Sequence, residues 1–291
     1  MTLPRFGLRP SLRMPLLAKE LSELAARKRT YALRVLYALF LFGGFVLHLW
    51  TILPAGGDAP GRGSGRPMFE FLVWLQMAGA WLFLPAMAGA TIAAERERGM
   101  LDLLLLTGLS PREIVLQKFA GVLVPTGTLL LLSLPLLAIA YAYGGLSPDL
   151  LAAGAWVVVL ACLQTIALAI LVSAWLRTSA MATVSAYGLL ALFAVYPPLI
   201  AAAFWDRRQA QKHFSLNAAF LVLTGFFGLG WWLPPVLFLR AQKGGIESVA
   251  VASIPCLALA GVLLWAAGRL AGVLYADRPP PSDTGEGTAP G

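Results

Sequence analysis

The stretch AAERERGMLDLLLLTGLSPREIVLQK, residues 93–118, places a dense cluster of charges between two long apolar runs. Acids and bases alternate over Glu95–Arg98, and Gly99 follows them as a residue type that commonly ends helices. A leucine run then predicts a short helix over 100–107 with a wide apolar face. Ser110–Glu113 supplies an N-cap serine, a first-turn proline and the glutamate of a capping box. The stretch therefore predicts a helix, a break, a short helix, a turn and a new helix.

The apolar face of this short helix needs a cover, and the sequence leaves two covers open. The helix could lie against a bilayer, or it could dock in a groove on a soluble partner, which is a common mode of helix recognition. A defined elbow of this kind requires more order than a simple connector, which favours a functional role for it.

Composition places the whole chain in a membrane. Its 291 residues are 59% hydrophobic and 12% charged, whereas soluble domains carry roughly 25% charged residues. Several uncharged apolar runs exceed the ~20 residues that a helix needs to cross a bilayer, and no segment alternates as an outer-membrane strand does. We therefore expect an all-α polytopic membrane protein.

The apolar runs predict six transmembrane helices in one domain over residues 1–276, followed by a disordered Pro/Gly-rich tail at 277–291. The predicted spans are about 31–53, 68–94, 119–143, 150–176, 180–203 and 248–275. Residues 215–239 are long enough to cross, but their glycines and prolines break a helix, and broken backbone at membrane depth must be buried in protein. This segment predicts a re-entrant hairpin on the outer side, with a seventh span as the alternative.

The segment before the first span has the pattern of an amphipathic helix. Over residues 11–29, Leu17, Leu21 and Leu24 fall on one face and charged residues lie away from it. Such a helix lies in the membrane interface. The alternative is a solvated helix that leads into the first span.

Basic residues set the predicted orientation. With six spans and the N-terminus in the cytoplasm, most of the 22 lysines and arginines lie on the cytoplasmic side, as the positive-inside bias requires. The exception is an outer cluster of Arg207, Arg208 and Lys212. Both termini and residues 95–118 are thus predicted to be cytoplasmic. Since the basic residues lie beside spans, the net charge of +8 does not indicate nucleic-acid binding.

Several function classes lack their residues in this sequence. No phosphate-binding loop of the form G-x-x-x-x-G-K-[ST] occurs, and the two histidines are far apart. The predicted spans carry no ionisable residue near their centres, where an ion-driven carrier keeps its relay groups. Gln76 and Gln164 are the deep polar candidates for a transport pathway, although such residues more often hydrogen-bond one helix to another.

The charged stretch resembles the cytoplasmic loop of ABC-2 type transporter permeases, in which a charged run and a glycine precede a leucine-rich helix and a SPREI start of the third span. The segment over 15–34 is similar to the N-terminal elbow helix of that family. Met100–Asp102 departs mildly from the family, which often has Thr-Leu-Glu there. The matching positions of the loop are Glu95, Glu97, Arg98, Gly99, Leu101, Leu103, Leu104, Leu105, Ser110, Arg112, Glu113, Ile114 and Lys118.

The resemblance implies a permease subunit of an ATP-binding cassette transporter in the inner membrane, with export as the family tendency. It implies that residues 100–107 are a coupling helix and that Glu95, Glu97 and Arg98 form a charged relay beside a separate cytoplasmic ATPase, which binds the ATP and Mg. It also implies a second permease, identical or different, among membrane lipids. A non-transporting scaffold or, less favoured, an intramembrane enzyme remain alternatives, and the substrate stays open.

Overall fold

The structure, a computed structural model, describes residues 28–52, 65–99, 110–204 and 234–276. Every regular element within these ranges is an α-helix, which confirms the all-α prediction for them. The helices are α1 (Lys28–Ile52), α2 (Gly65–Ala88), α3 (Thr91–Glu97), α4 (Pro111–Leu131), α5 (Leu134–Ala142), α6 (Pro148–Trp175), α7 (Ser179–Phe204) and α8 (Pro234–Ala276).

Five segments of the described chain are long and apolar enough to cross a membrane, and they match five of the six predicted spans. They are Tyr31–Thr51, Gly65–Glu97, Pro111–Ala142, Pro148–Trp175 and Ser253–Val273. The predicted fifth span coincides with α7, whose described side chains form the shorter apolar stretch Ser179–Leu192.

Helix α6 lies at the centre of the bundle. It packs against α8, α2, α7, α4 and α3, and most of its residues are buried. Small residues let neighbours approach closely: a Cβ on Gly154 would lie 2.5 Å from the ring of Phe69 on α2. Helix α1 lies at the edge and exposes most of its apolar side chains, so its packing depends on a few aromatic contacts such as the edge-to-face pair of Tyr37 and Phe83, at 5.4 Å.

Prolines divide two of the spans. Pro85 lies inside α2, and the chain leaves the helix four residues later, at Gly89, before α3 begins. Pro135 has no N–H and its ring crowds the preceding turn, so the predicted third span is divided into α4 and α5. At the break, the N–H groups of Leu132 and Ser133 donate to the carbonyls three residues earlier, at Leu129 and Leu130, and not to those four residues earlier.

The five most exposed aromatic residues of the described chain lie at or near the two ends of the bundle. Trp50 and Tyr141 lie at one end, and Tyr31, Trp175 and Trp265 lie at or near the other. Tryptophan and tyrosine prefer the level of the lipid headgroups. Their positions are those expected of a bundle that crosses the bilayer from one belt to the other.

Four predicted features lie outside the described residues, wholly or in large part. They are the elbow helix up to residue 27, with Leu17, Leu21 and Leu24; the short helix at 100–107; the hairpin at 215–233; and the tail at 277–291. The last six residues of the predicted hairpin region, 234–239, lie in α8. That helix begins at Pro234, before the predicted start of the last span at 248, so Pro234 and Pro235 stand in its first turn, where proline is tolerated.

Candidate functional site

The alternating charges that follow the second span gather at one end of the bundle. We call this region the charged end; it consists of residues 95–99, 110–118 and 173–179. Its central element is α3, a helix of 7 residues that follows the break at Gly89. The backbone N–H groups of Ile92 and Ala93 lie at the start of α3, where a helix has no internal acceptors for them. Both donate to the Ser173 hydroxyl of α6, each at 3.1 Å.

Glu95 forms a largely buried ion pair with Lys118 of α4. The side chains are 21% and 7% exposed, so water screens their attraction only weakly. The second carboxylate oxygen of Glu95, Oε2, is buried and has no hydrogen-bond partner among the described residues, and neither does Gln117 Oε1 on α4. Because a buried charge without a counterion is costly, the pair fixes α3 to α4.

Arg96 reaches in another direction, to the end of α6. Its Nη2 donates to the Ala174 carbonyl at 2.9 Å, and its Nη1 donates to the Leu176 carbonyl at 3.1 Å. The last carbonyls of a helix lack internal donors and carry the negative end of the helix dipole. A guanidinium group supplies both the missing donors and the opposite charge.

Glu97 contacts the start of α7. Its Oε1 accepts from the Ser179 backbone N–H at 2.9 Å, and its Oε2 accepts from the Ser179 hydroxyl at 2.7 Å. The N-terminus of a helix attracts a carboxylate for the complementary reason, since it carries free N–H donors and a partial positive charge. Three consecutive side chains of α3 therefore contact three different helices, α4, α6 and α7.

The chain then ends α3 at the predicted place. Arg98 is exposed, and Gly99 adopts a positive φ of 68°, with nothing within 4 Å of the place that a Cβ would take. Glycine adopts this left-handed backbone without strain. The predicted break after the charged run is confirmed.

The far side of the undescribed segment 100–109 is equally well defined. The predicted capping box is confirmed: the Ser110 hydroxyl accepts from the Glu113 N–H at 3.3 Å, and Glu113 Oε2 accepts from the Ser110 N–H at 2.8 Å. The first turn of α4 rests on α8, because a Cβ on Gly268 would lie 3.1 Å from Arg112 Cγ. Residues 100–109 thus join two anchored helix ends.

The predicted site residues divide into described and undescribed ones. Those outside the described residues are Leu101, Leu103, Leu104 and Leu105 of the short helix and Leu17, Leu21 and Leu24 of the elbow. Of the two pathway candidates, Gln76 is buried, and Gln164 Nε2 donates to the Cys256 carbonyl at 3.4 Å, between α6 and α8.

Sequence reasoning missed four residues of this site. The predicted coupling residues do not include Arg96, Lys118, Ser173 or Ser179, although Lys118 matches the family pattern. For Arg96 the available signal was the alternation of charges over Glu95–Arg98, which places it between two residues of the predicted relay. Nothing in the sequence pointed to Ser173 or Ser179, which lie about eighty positions along the chain.

The composition of the charged end gives no support for a catalytic or metal-binding role. Within the described ranges, no three His, Cys, Asp or Glu residues lie together as a metal site would require. Each acid at this end contacts a donor: Glu95 contacts Lys118, Glu97 contacts Ser179, and Glu113 contacts Ser110. The arrangement holds helices in position.

Comparison with known protein families identifies the family of this chain. A family described as ABC-2 family transporter protein matches residues 14–240. The chain belongs to this family of transporter membrane proteins, and the resemblance noted for the charged loop is confirmed. It is therefore a multi-pass membrane protein of an ABC transporter, a component that is not itself catalytic. A comparison with curated protein sequences gives no match.

Proposed function

We propose that this chain is the permease subunit of a transporter whose ATPase is a separate cytoplasmic chain. The charged end faces the cytoplasm, and the ATPase docks on residues 95–113 with the short helix 100–107 in a groove on its surface. The partner binds the ATP and Mg. Family membership supports the permease role, and the lack of a phosphate-binding loop in the sequence supports ATP hydrolysis by another chain.

The observation that carries the docking assignment is the anchoring of the loop on both sides. Glu95 and Lys118 join α3 to α4, the capping box starts α4, and Arg112 packs on Gly268 of α8. A loop that only connected two spans would not need these contacts. When both ends are fixed, a displacement of residues 100–109 moves the spans and is not absorbed by a flexible linker.

A second permease subunit, identical or different, completes the transporter in this proposal, and the pathway lies between the two copies. Two buried hydroxyls of the described spans support this arrangement because their donors are already used within their own helices. Thr126 and Thr165 donate to carbonyls of their own helices, Val122 and Ala161, at 2.8 and 2.7 Å. The apolar spans favour a hydrophobic or amphipathic cargo, and export is the family tendency.

The test substitutes two leucines on different sides of the short helix, with Leu103→Asp and Leu105→Asp in one variant, so that a carboxylate enters the groove whichever side of the helix docks. A buried carboxylate at a docking surface should abolish co-purification with the ATPase and the ATP hydrolysis of the complex. The matched control places two aspartates at the same spacing in the predicted tail, Ser282→Asp with Thr284→Asp, and should leave both unchanged. A Leu103/Leu105 variant that assembles and hydrolyses ATP normally excludes the docking assignment. If the parent chain assembles with the ATPase but does not change its rate of ATP hydrolysis, the scaffold alternative is favoured.

A further inference from the structure

We propose that Arg96 and Glu97 are positioning residues that hold α3, and with it the loop that follows α3, to α6 and α7. The turn Leu176–Thr178 between α6 and α7 then moves together with α3 and this loop. The inference rests on the proposed function and adds to it the identity of the spans that receive the movement. It comes from contacts between distant parts of the chain, and the family pattern in the sequence did not include Arg96.

Charge and polarity match on both sides of this turn. Helix α6 ends just before the turn and α7 begins just after it, so a negative and a positive helix end lie close together. Arg96 donates to the carbonyls of the first end, and Glu97 accepts from Ser179 at the second. Two adjacent residues of opposite charge thus hold the turn from both sides.

The attachment is reciprocal. Arg96 and Glu97 extend from α3 to α6 and α7, while Ser173 extends from α6 to the N-terminus of α3. Six hydrogen bonds of ordinary length are involved. Contacts to charged groups are stronger than neutral ones. Sliding α3 relative to the turn would break several of them together, whereas moving both as one body breaks none.

The direct test measures a distance within the intact complex of permease and ATPase. Nitroxide labels are placed on Ala94→Cys in α3 and Arg177→Cys in the turn; the native Cys162 and Cys256 are buried. We expect the same label-to-label distance without nucleotide and in the complex trapped with ATP and vanadate. A nucleotide-dependent change in this distance overturns the inference.

A second measurement removes the contacts. Glu97→Ala and Arg96→Ala should allow the label-to-label distance to broaden and to depend on nucleotide, and the ATP hydrolysis of the complex should change by about 2- to 30-fold, as for residues that carry coupling. Glu97→Gln keeps an acceptor for Ser179 and should retain most of the parental behaviour. Glu70→Ala, a carboxylate removed at the opposite end of α2, is the matched control and should have no effect.

The two proposals fail in different ways. If the Leu103/Leu105 variant hydrolyses ATP normally, the docking assignment fails whatever the labels show. If that variant loses hydrolysis but Glu97→Ala and Arg96→Ala leave both the label distance and the hydrolysis at the parental values, docking stands and the role of Arg96 and Glu97 is overturned.

Discussion

The two ends of the segment formed by α2 and α3 are held by different kinds of contact. At the Gly65 end, backbone meets backbone: a Cβ on Gly65 would lie 2.2 Å from the Ala140 carbonyl oxygen and 2.4 Å from that of Gly144. At the charged end, long side chains bridge the gaps between helices with ion pairs and hydrogen bonds. The Gly65 end is held by close backbone packing that the missing side chain permits. The charged end is held by long side chains that reach neighbouring helices.

This difference separates a fixed end from an adjustable one. Backbone packing at van der Waals distance has no second arrangement at similar energy, because protein interiors are close-packed. At the charged end, hydrogen bonds join α3 to α6 and α7, and a displacement of these helices as one body leaves those bonds intact. In the proposed mechanism the charged end is therefore the end at which helices move as a set, and the Gly65 end is the support against which they move.

The largest expected effect comes from removing one partner of the buried pair. Lys118→Met leaves the Glu95 carboxylate buried without its cation, and we expect a loss of about 3–5 kcal/mol in unfolding free energy. Replacing both residues, with Lys118→Met and Glu95→Leu, should recover most of this loss because no charge is then left buried. Thermal unfolding of the detergent-solubilised chain measures both variants.

The exposed pair of Arg66 and Glu70 supplies the control for that measurement. Its side chains are 50% and 29% exposed, and exposed pairs contribute only about 0–1 kcal/mol. Arg66→Met should therefore shift the unfolding temperature little. Equal shifts for Arg66→Met and Lys118→Met, or a double variant no more stable than Lys118→Met alone, would show that burial of the Glu95 pair does not stabilise this end.

The next largest effect is expected at the other end. In Gly65→Ala the added methyl group meets two backbone carbonyls, which cannot rotate away, so α2 must shift from α5. Overpacking of this kind costs about 1–3 kcal/mol, and the unfolding temperature should fall accordingly. Gly43→Ala is the matched control, since Gly43 lies in α1 with nothing within 4 Å of its Cβ position. The support assigned to the Gly65 end is wrong if the two variants unfold at the same temperature.

Much of the fold could be predicted because its signals are local. Apolar length predicted six spans, and five of them match candidate spans of the described chain. The order of Ser110, Pro111 and Glu113 predicted the capping box, and Gly99 predicted the end of α3. The division of the third span was also within reach, since Pro135 is visible in the sequence and proline disrupts the preceding turn.

The site could be predicted only in part because its contacts are not local. Arg96 donates to carbonyls 78 and 80 positions away. Every residue has a backbone carbonyl, so the sequence does not indicate which one accepts. Ser173 and Ser179 are ordinary serines in an apolar region until the bundle brings α3 beside them. The charges stand at the right position along the chain, but the choice of their partners depends on how α6 and α7 pack.

The smallest expected effect tests whether glycine contacts at the charged end differ from those at the Gly65 end. A Cβ on Gly268 would meet the Arg112 side chain at 3.1 Å, whereas one on Gly261 in the same helix meets nothing within 4 Å. Alanine is favoured over glycine inside a helix by about 1 kcal/mol, so Gly261→Ala should raise the unfolding temperature slightly. In Gly268→Ala the same gain is offset by the displacement of Arg112, and the net change should stay within about 0.5 kcal/mol.

Comparison of Gly268→Ala with Gly65→Ala then isolates what the methyl group meets. A Cβ would crowd a neighbour at both positions, but the obstacle is a flexible side chain at Gly268 and backbone at Gly65. If Gly268→Ala destabilises the chain as much as Gly65→Ala, Arg112 is held as rigidly as a backbone group. The charged end would then be a second fixed support, and the movement of the loop would have to enter the bundle through α3 alone.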